Sequence, residues 1–293
     1  MKLLTFLSEG KEKFGIKTEE GIVNLEKALQ LHPNSRIPIE MNDIIQEGVT
    51  GLSLLGEYLN SLPMDHYYIE DEEEISFGPA ITSPNKIICV GLNYRKHADE
   101  TNSSYPEIPI LFNKFTNTLI GHKKNIQLPR VTSKVDYEVE LGIVIGSKTK
   151  NVTVSEALDH ALGYVTANDI SARDLQLRTS QWLLGKNCDG FCPLGPYLVS
   201  KDEVGNPNDL QLKTTVNGEV RQYSNTSDMI FHCDEIISFV SHHLTLFPGD
   251  VILTGTPEGV IMGEPEDRQV YLKSGDEVTV EIEKLGKLTN YFV

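Results

Sequence analysis

A chain of 293 residues with 39% hydrophobic and 23% charged side chains can bury a substantial core, as one large domain or a small domain plus a large one, which excludes disorder throughout. Lys and Arg number 26 against 42 Asp and Glu, a formal charge of −16; with no basic field to exchange for counterions, nucleic acid is excluded as a partner. A small anionic substrate stays open, because one divalent metal and one or two cationic side chains can reverse the field inside a pocket.

The first module is read from Met1 to about Leu62, with an apolar stretch at Leu3 to Leu7, a strand at Phe14 to Lys17, a turn at Glu19-Glu20-Gly21 and a strand at Ile22 to Leu25. Two short helices follow. Asn42 to Gln46 has helical composition, and Leu52, Leu55, Tyr58 and Leu59 recur on one helical face. The acidic run Glu70 to Glu74 favours an exposed connection through charge repulsion, and Pro79 and Pro84 punctuate it further. The expected division is therefore a small N-terminal domain over 1–75 and a larger domain over 76–293.

The second region is strand-rich. Strands are expected at Lys86 to Gly91, Tyr137 to Gly146, Tyr164 to Asn168, Leu210 to Val216, Glu219 to Gln222, Asp250 to Thr254 and Glu277 to Glu283, with a hairpin turn at Asn217-Gly218. Helices are expected from Thr153 to Leu162, where Thr153 and Glu156 form a capping box, and from Asp234 to about Leu246. Strands outnumber helices without regular alternation, which reads as α+β. No apolar run approaches the roughly 20 residues of a spanning helix. The start, a Leu/Phe patch followed by alternating charges, is unlike a signal peptide. Cys89, Cys188, Cys192 and Cys233 fit reduced thiols rather than a disulfide scaffold or a C-x-x-C pair, so the expectation is a soluble cytoplasmic protein with no membrane partner.

The chemistry concentrates in Asp136-Tyr137-Glu138-Val139-Glu140-Leu141-Gly142, where period two sends Glu138 and Glu140 to one face. Two like charges projecting together suit a hard cation between them, although the pair alone also fits an exposed polar strand face. Asp169, at the end of the next strand, could complete a facial set of three carboxylates or cap the turn that follows. Arg173 lies in that turn, where a salt bridge with Asp174 or a nearby Glu is the plainer reading. Lys186, in a Gly- and Pro-rich loop, could offset anionic charge beside a metal or be a solvated surface lysine. Thr256, in Thr254-Gly255-Thr256-Pro257, could donate to a carboxylate or sit in an ordinary strand-end turn. On a helical turn from Tyr94 to Glu100, His97 and Glu100 meet at i and i+3, either as a surface pair or as a dyad whose carboxylate fixes the tautomer of a water-activating imidazole.

These segments resemble the fumarylacetoacetate hydrolase family, through G-L-N-Y-x-x-H-A-x-E, D-Y-E-V-E-L-G, N-D-I-S-A-R-D-L-Q, G-K-N-C-D-G-F-C-P-L-G-P, L-F-P-G-D-V-I-L-T-G-T-P-E-G-V and the closing G-D-E-V-T-V-E-I-E-K-L-G-K-L. The resemblance runs from about Lys86 to the C-terminus. It implies a mixed β-sandwich or β-roll core, pairing as a homodimer, and Mg²⁺ or Mn²⁺ held by Glu138, Glu140 and Asp169. Lys186 would lie beside metal and substrate, while Arg173, Gln176 and Thr256 orient the substrate. His97 and Glu100 would activate water, on a segment that orders over the site when ligand binds. The implied substrate is a short 2-oxo acid. Hydrolysis of a C–C bond in an acylpyruvate or fumarylacetoacetate-type acid, through a metal-stabilised enolate, is the first expectation. Oxaloacetate decarboxylation, isomerisation of a dienoic diacid and non-catalytic metabolite sensing follow in that order.

Overall fold

The computed structural model describes residues 1–63 and 65–293. The Leu3 to Leu7 patch lies in the strand Lys2–Ser8, which turns through Glu9 and Gly10, both at positive φ, into the strand Lys11–Lys17. Two successive positive-φ residues give the turn the twist of its flanking strands, and pairing runs unbroken from Lys2↔Lys17 to Ser8↔Lys11. The strand Ile22–Asn24 adds to this hairpin, and Asn24 caps the helix Leu25–Leu31 by accepting from the Lys27 amide at 3.3 Å. The helices Met41–Gln46 and Gly48–Ser61 follow, with Leu55 and Tyr58 buried and Leu52 and Leu59 flanking them.

The hairpin is one end of an eleven-stranded sheet that continues into the second region. Lys2 and Leu3 pair with Val199 and Leu198 in Leu198–Ser200. Next come Ala161–Asn168, Val139–Ile145, Val251–Leu253, Ile87–Gly91 and, at the far edge, Ile110–Lys114. Strands contributed from both sides of position 75 therefore share one sheet. The acidic run is tied down rather than free. Glu70 accepts from Lys27 at 2.8 Å and from Asn24 at 3.0 Å, Glu73 from Lys123 at 2.6 Å, and Glu72 binds both Lys17 and Tyr197. Lysines on both regions supply the charge that the run itself repels.

A second sheet of five strands, in the order Glu219–Asn225, Gln211–Val216, Glu277–Ile282, Gly286–Phe292 and Lys124–Ile126, packs its inner face on the first. Leu212, Val278, Val280 and Leu288 from it share a core with Leu141, Ile143 and Tyr164. This face-to-face packing of mixed sheets with helices outside them is the expected α+β sandwich. Asn217 and Gly218, at φ 51° and 82°, make the expected hairpin turn.

Two expectations need correction. The segment from Thr153 to Leu162 is not one helix: it is helical over Val154–Ala157, tightens to a 3₁₀ turn over Leu158–His160, and enters the sheet at Ala161. Ala161 and Leu162 belong to the strand because the β-rich Gly163–Thr166 run draws pairing partners on both sides. The helix expected from Asp234 runs Cys233–His243, ending before Pro248-Gly249.

Gly163 sits where the strand at the centre of this sheet meets the strand that carries the N-terminal hairpin. A Cβ there would lie 2.2 Å from the Val199 carbonyl oxygen, so the backbone itself would have to shift. Gly163→Ala is expected to cost about 1–3 kcal/mol, lowering the thermal midpoint by roughly 2–10 °C in a melting curve. An unchanged midpoint would show that the junction yields freely.

Candidate active site

Glu138 immediately precedes the strand Val139–Ile145, and Glu140 lies two residues on; pairing with Ala161–Asn168 sets Val139 opposite Asn168. The Asp169 amide donates to the Glu138 carbonyl at 2.9 Å, which carries the third carboxylate past the end of its own strand toward the first two. One oxygen from each of Glu138, Glu140 and Asp169 lies within 4.8 Å of the others, and all three residues are buried.

Cations surround this cluster unevenly. Lys186 closes the single-turn helix Leu183–Lys186 rather than lying in an open loop, and its Nζ donates to Glu138 Oε2 at 2.6 Å and Asp169 Oδ2 at 2.7 Å. Arg173 does not pair with Asp174. It reaches Asp136 Oδ2 at 2.8 Å and Glu138 Oε1 at 2.7 Å, and it donates to Gln176 Oε1 at 2.9 Å. Burial opposes charge on Glu138, but Lys186 and Arg173 beside it outweigh that effect and hold its pKa at about 2. Glu140 has no cationic partner among the described residues; its Oε2 accepts from the Gly255 amide at 2.8 Å. Burial pushes its pKa well up, and the charges of Asp169 and Glu138 add to the rise. The three carboxylates thus converge with only Glu140 unmatched by a cation among the described residues, and they offer the hard oxygen donors that Mg²⁺, Mn²⁺ and Ca²⁺ prefer, so the residues present fit a divalent cation. Burial also opposes the charge of Lys186, but Asp169 and Glu138 push its pKa up.

The helix Arg95–Glu100 presents His97 and Glu100 to the same place. His97 Nδ1 lies 2.7 Å from Glu100 Oε1, and Glu100 Oε2 accepts from the Gly259 amide at 2.9 Å. A carboxylate at Nδ1 favours the tautomer with the proton on that nitrogen, leaving Nε2 able to accept one. The helix is fastened at its start. Arg95 donates to the Asp228 and Met229 carbonyls at 3.1 and 2.6 Å, and buried Asn93 donates to Thr254 and Phe231 carbonyls at 2.7 and 3.0 Å.

His97, Glu138, Glu140, Arg173, Gln176, Lys186 and Thr256 all line one cavity of about 230 Å³. Asp169 lies behind the wall, joined to it through Lys186, and Glu100 lies at the rim in an adjoining cleft. Val90, Leu92, Phe112 and Trp182 add apolar lining. Trp182 lies so close on Gly91 that a Cβ there would meet its ring at 2.4 Å.

Three buried residues were not singled out from the sequence. Lys114, at the end of an edge strand between Asn113 and Phe115, donates to Asp169 Oδ1 at 2.5 Å. Asp136 anchors Arg173 and accepts from the Ile261 and Met262 amides, both at 3.0 Å. Its signal was present: stepping the Glu140–Glu138 alternation back by two reaches Asp136. Gln222, on the second sheet, donates to Thr256 Oγ1 at 2.9 Å, and nothing in its strand's composition marks it.

The family model described as fumarylacetoacetate (FAA) hydrolase C-terminal matches residues 86–293. The chain belongs to the fumarylacetoacetate hydrolase family. Within that family it is 44% identical over 260 residues to the bovine protein named oxaloacetate tautomerase FAHD2A, mitochondrial, covering 88% of this chain and 81% of the relative. The human protein of the same name is 42% identical over 276 residues, covering 93% and 84%. Two solved structures span the whole chain. Fumarylacetoacetate hydrolase from Exiguobacterium antarcticum has TM-score 0.81 and 31% identity with 99% of it covered, and 2-hydroxyhepta-2,4-diene-1,7-dioate isomerase from Mycobacterium marinum has TM-score 0.75 and 32% identity with 98% covered. The expectation of a cytoplasmic protein is overturned by these relatives, which carry mitochondrial names. The Leu/Phe patch, the alternating charges that follow it and the reduced cysteines on which that expectation rested describe only local composition and do not decide a compartment.

Two outcomes check the fumarylacetoacetate hydrolase site. Titration calorimetry with Mn²⁺ or Mg²⁺ should show binding to the unaltered protein and none to Glu138→Ala or Glu140→Ala; unchanged affinity in both variants would remove them as ligands. Lys114→Met leaves half of the Asp169 carboxylate without its buried partner, and chemical denaturation should show a loss of about 3–5 kcal/mol.

Proposed function

We propose that this protein interconverts the enol and keto forms of a short 2-oxo acid, with oxaloacetate as the leading substrate. The observation that carries the reading is the His97–Glu100 dyad, held with one imidazole nitrogen free at the wall of a small cavity that Glu138 and Glu140 line, with Asp169 behind them. Relatives named as oxaloacetate tautomerases, at 42–44% identity over most of the chain, support that substrate over the acylpyruvate first expected.

A divalent cation held by Glu138, Glu140 and Asp169, Mg²⁺ or Mn²⁺ by the preference of carboxylate oxygens, would polarise the 2-oxo group and make the neighbouring C–H more acidic. His97 Nε2 accepts the C3 proton of the keto form while the 2-oxo oxygen takes a proton from solvent to become the enol hydroxyl, and the imidazolium then releases its proton to solvent; ketonisation runs the same transfers in reverse. Glu100 supports the resulting imidazolium through Nδ1–H, and the Gly259 amide holds Glu100 in place for this. Gln176 spends its carbonyl oxygen on Arg173, which leaves its amide hydrogens for substrate oxygen. Thr256 contributes a hydroxyl from the facing loop. The cavity, at about 230 Å³, falls below the usual range for drug-sized ligands and suits an acid of a few carbons.

Hydrolysis of a C–C bond would use the same dyad to deprotonate water, and the likeness to a solved fumarylacetoacetate hydrolase keeps it as the second reading. An assay with Mg²⁺ or Mn²⁺ separates the reactions: decay of the enol absorbance of oxaloacetate, pyruvate and CO₂ release from oxaloacetate, and pyruvate plus acetate release from acetylpyruvate. Accelerated enol decay without product release is the expected result, and His97→Ala should lower it about 10²- to 10⁴-fold. Enol decay at the rate of buffer, with turnover of acetylpyruvate, would overturn the proposal in favour of hydrolysis.

A further inference from the structure

We infer that Gln222, which lies on the second sheet and does not line the cavity, acts as a positioning residue that fixes the direction in which Thr256 donates its hydroxyl proton. This rests on the reading that the cavity binds a 2-oxo acid.

Gln222 is buried, and all four of its hydrogen-bonding positions are filled. Its Oε1 accepts from the Val139 amide at 3.1 Å and from Thr214 Oγ1 at 2.7 Å; its Nε2 donates to Thr256 Oγ1 and to the Pro257 carbonyl, both at 2.9 Å. The orientation of the amide is forced by its surroundings. An amide N–H at Val139 can only donate and a carbonyl at Pro257 can only accept, so exchanging the oxygen and nitrogen of Gln222 would lose both bonds. The Thr256 oxygen is therefore an acceptor toward Gln222, and its own hydrogen must point elsewhere. Thr256 lines the cavity, and among the described residues no other group receives that hydrogen, so the hydroxyl is set as a donor to the ligand.

The backbone shows how a polar side chain comes to be aimed inward. Pairing between Gln211–Val216 and Glu219–Asn225 runs Thr214↔Gln222 and then Thr215↔Val220, so Arg221 is an extra residue at a bulge. Glu219, Val220 and Arg221 are exposed in succession, after which Gln222 is buried, Tyr223 exposed and Ser224 buried. Bulges re-aim side chains, and this one turns Gln222 toward the first sheet. The Val139 amide it receives lies between Glu138 and Glu140, so a single side chain ties the carboxylate strand to the substrate-facing loop.

Trp182 is the only tryptophan in the chain and lines the cavity, so its fluorescence can report binding of oxalate, used as a 2-oxo acid analogue, in the presence of Mn²⁺ without reference to turnover. Thr256→Val should weaken oxalate binding about tenfold, as expected for loss of one hydrogen bond to a charged ligand, while Thr256→Ser should restore it to within about twofold. Gln222→Met should lose a similar factor, and adding it to Thr256→Val should cost no more than about another twofold, because its effect passes through the missing hydroxyl. Gln222→Glu keeps the shape and the acceptor for Val139 but replaces the donor toward Thr256, and it serves the same comparison if Gln222→Met does not fold. Losses that multiply in the double variant, or unchanged oxalate affinity in a folded Gln222 variant, would overturn the inference. Failure of the unaltered protein to bind oxalate would instead overturn the reading on which it rests.

Discussion

Asp136, Glu138, Glu140 and Asp169 are buried together with Lys114, Arg173 and Lys186, four carboxylates against three cations, and that imbalance constrains the rest of the molecule. Removing so many charges from water costs several kcal/mol for each ion unless geometry is well matched. The chain meets this cost with fixed partners. Every carboxylate of the group except Glu140 touches at least one cation, and Glu140 is left with a backbone amide. The carboxylate left without a cation is Glu140, and with all four carboxylates ionised a bound divalent cation would give the group a net positive charge. An anionic substrate such as the proposed 2-oxo acid would then meet a field that favours it, despite a chain that is strongly acidic as a whole.

The two sheets divide the work of holding this arrangement. The first supplies the charged groups, because neighbouring strands bring Glu138, Glu140 and Asp169 to one place and the parallel pair Ile87–Gly91 and Val251–Leu253 leads into the dyad helix and the Thr256 loop. The second supplies support. A Cβ on Gly259, whose φ is +95°, would lie 2.2 Å from the Arg221 carbonyl oxygen, so this close approach requires glycine. The Gly259 amide in turn holds Glu100. The strand Glu219–Asn225 therefore backs the dyad through Gly259 and the Thr256 hydroxyl through Gln222.

Much of this was legible in the sequence because it follows local rules. Period two along a strand brought Glu138 and Glu140 together, i to i+3 spacing on a helix brought His97 to Glu100, and Asn217-Gly218 announced its hairpin. What local rules could not show was long-range partnership. Lys114 is 55 residues from Asp169 in the chain, and a lysine next to Asn113 at the end of an edge strand carries the same local signal whether it is solvated or buried. Gln222 was hidden by the bulge, which shifts the in-out alternation so that the residue next to three exposed neighbours turns inward. The overlong helix from Thr153 has the same origin: its first turn obeys the capping rule, but pairing with the strands on either side takes over from Ala161. The division at position 75 rests on composition, whereas the sheet is built by pairing, and the Lys2–Ser8 strand crosses that position to meet Leu198–Ser200.

The solved structures resembling this chain are named for hydrolysis and isomerisation, and its curated relatives for tautomerisation, over one fold. On the proposed reading one first step would serve this range: electron density would build at the carbon beside a 2-oxo group, and the reactions would differ in whether a proton or an acyl group leaves that carbon. The buried charge cluster would serve that step. The fixed machinery ends at the mouth of the cavity, where Thr101 and Ser103 follow the dyad helix and share the lining with Leu177 and Met262. Water able to reach His97 Nε2 through that mouth would permit hydrolysis. A mouth closed by Leu177 and Met262 would leave the imidazole only the substrate's own proton to move.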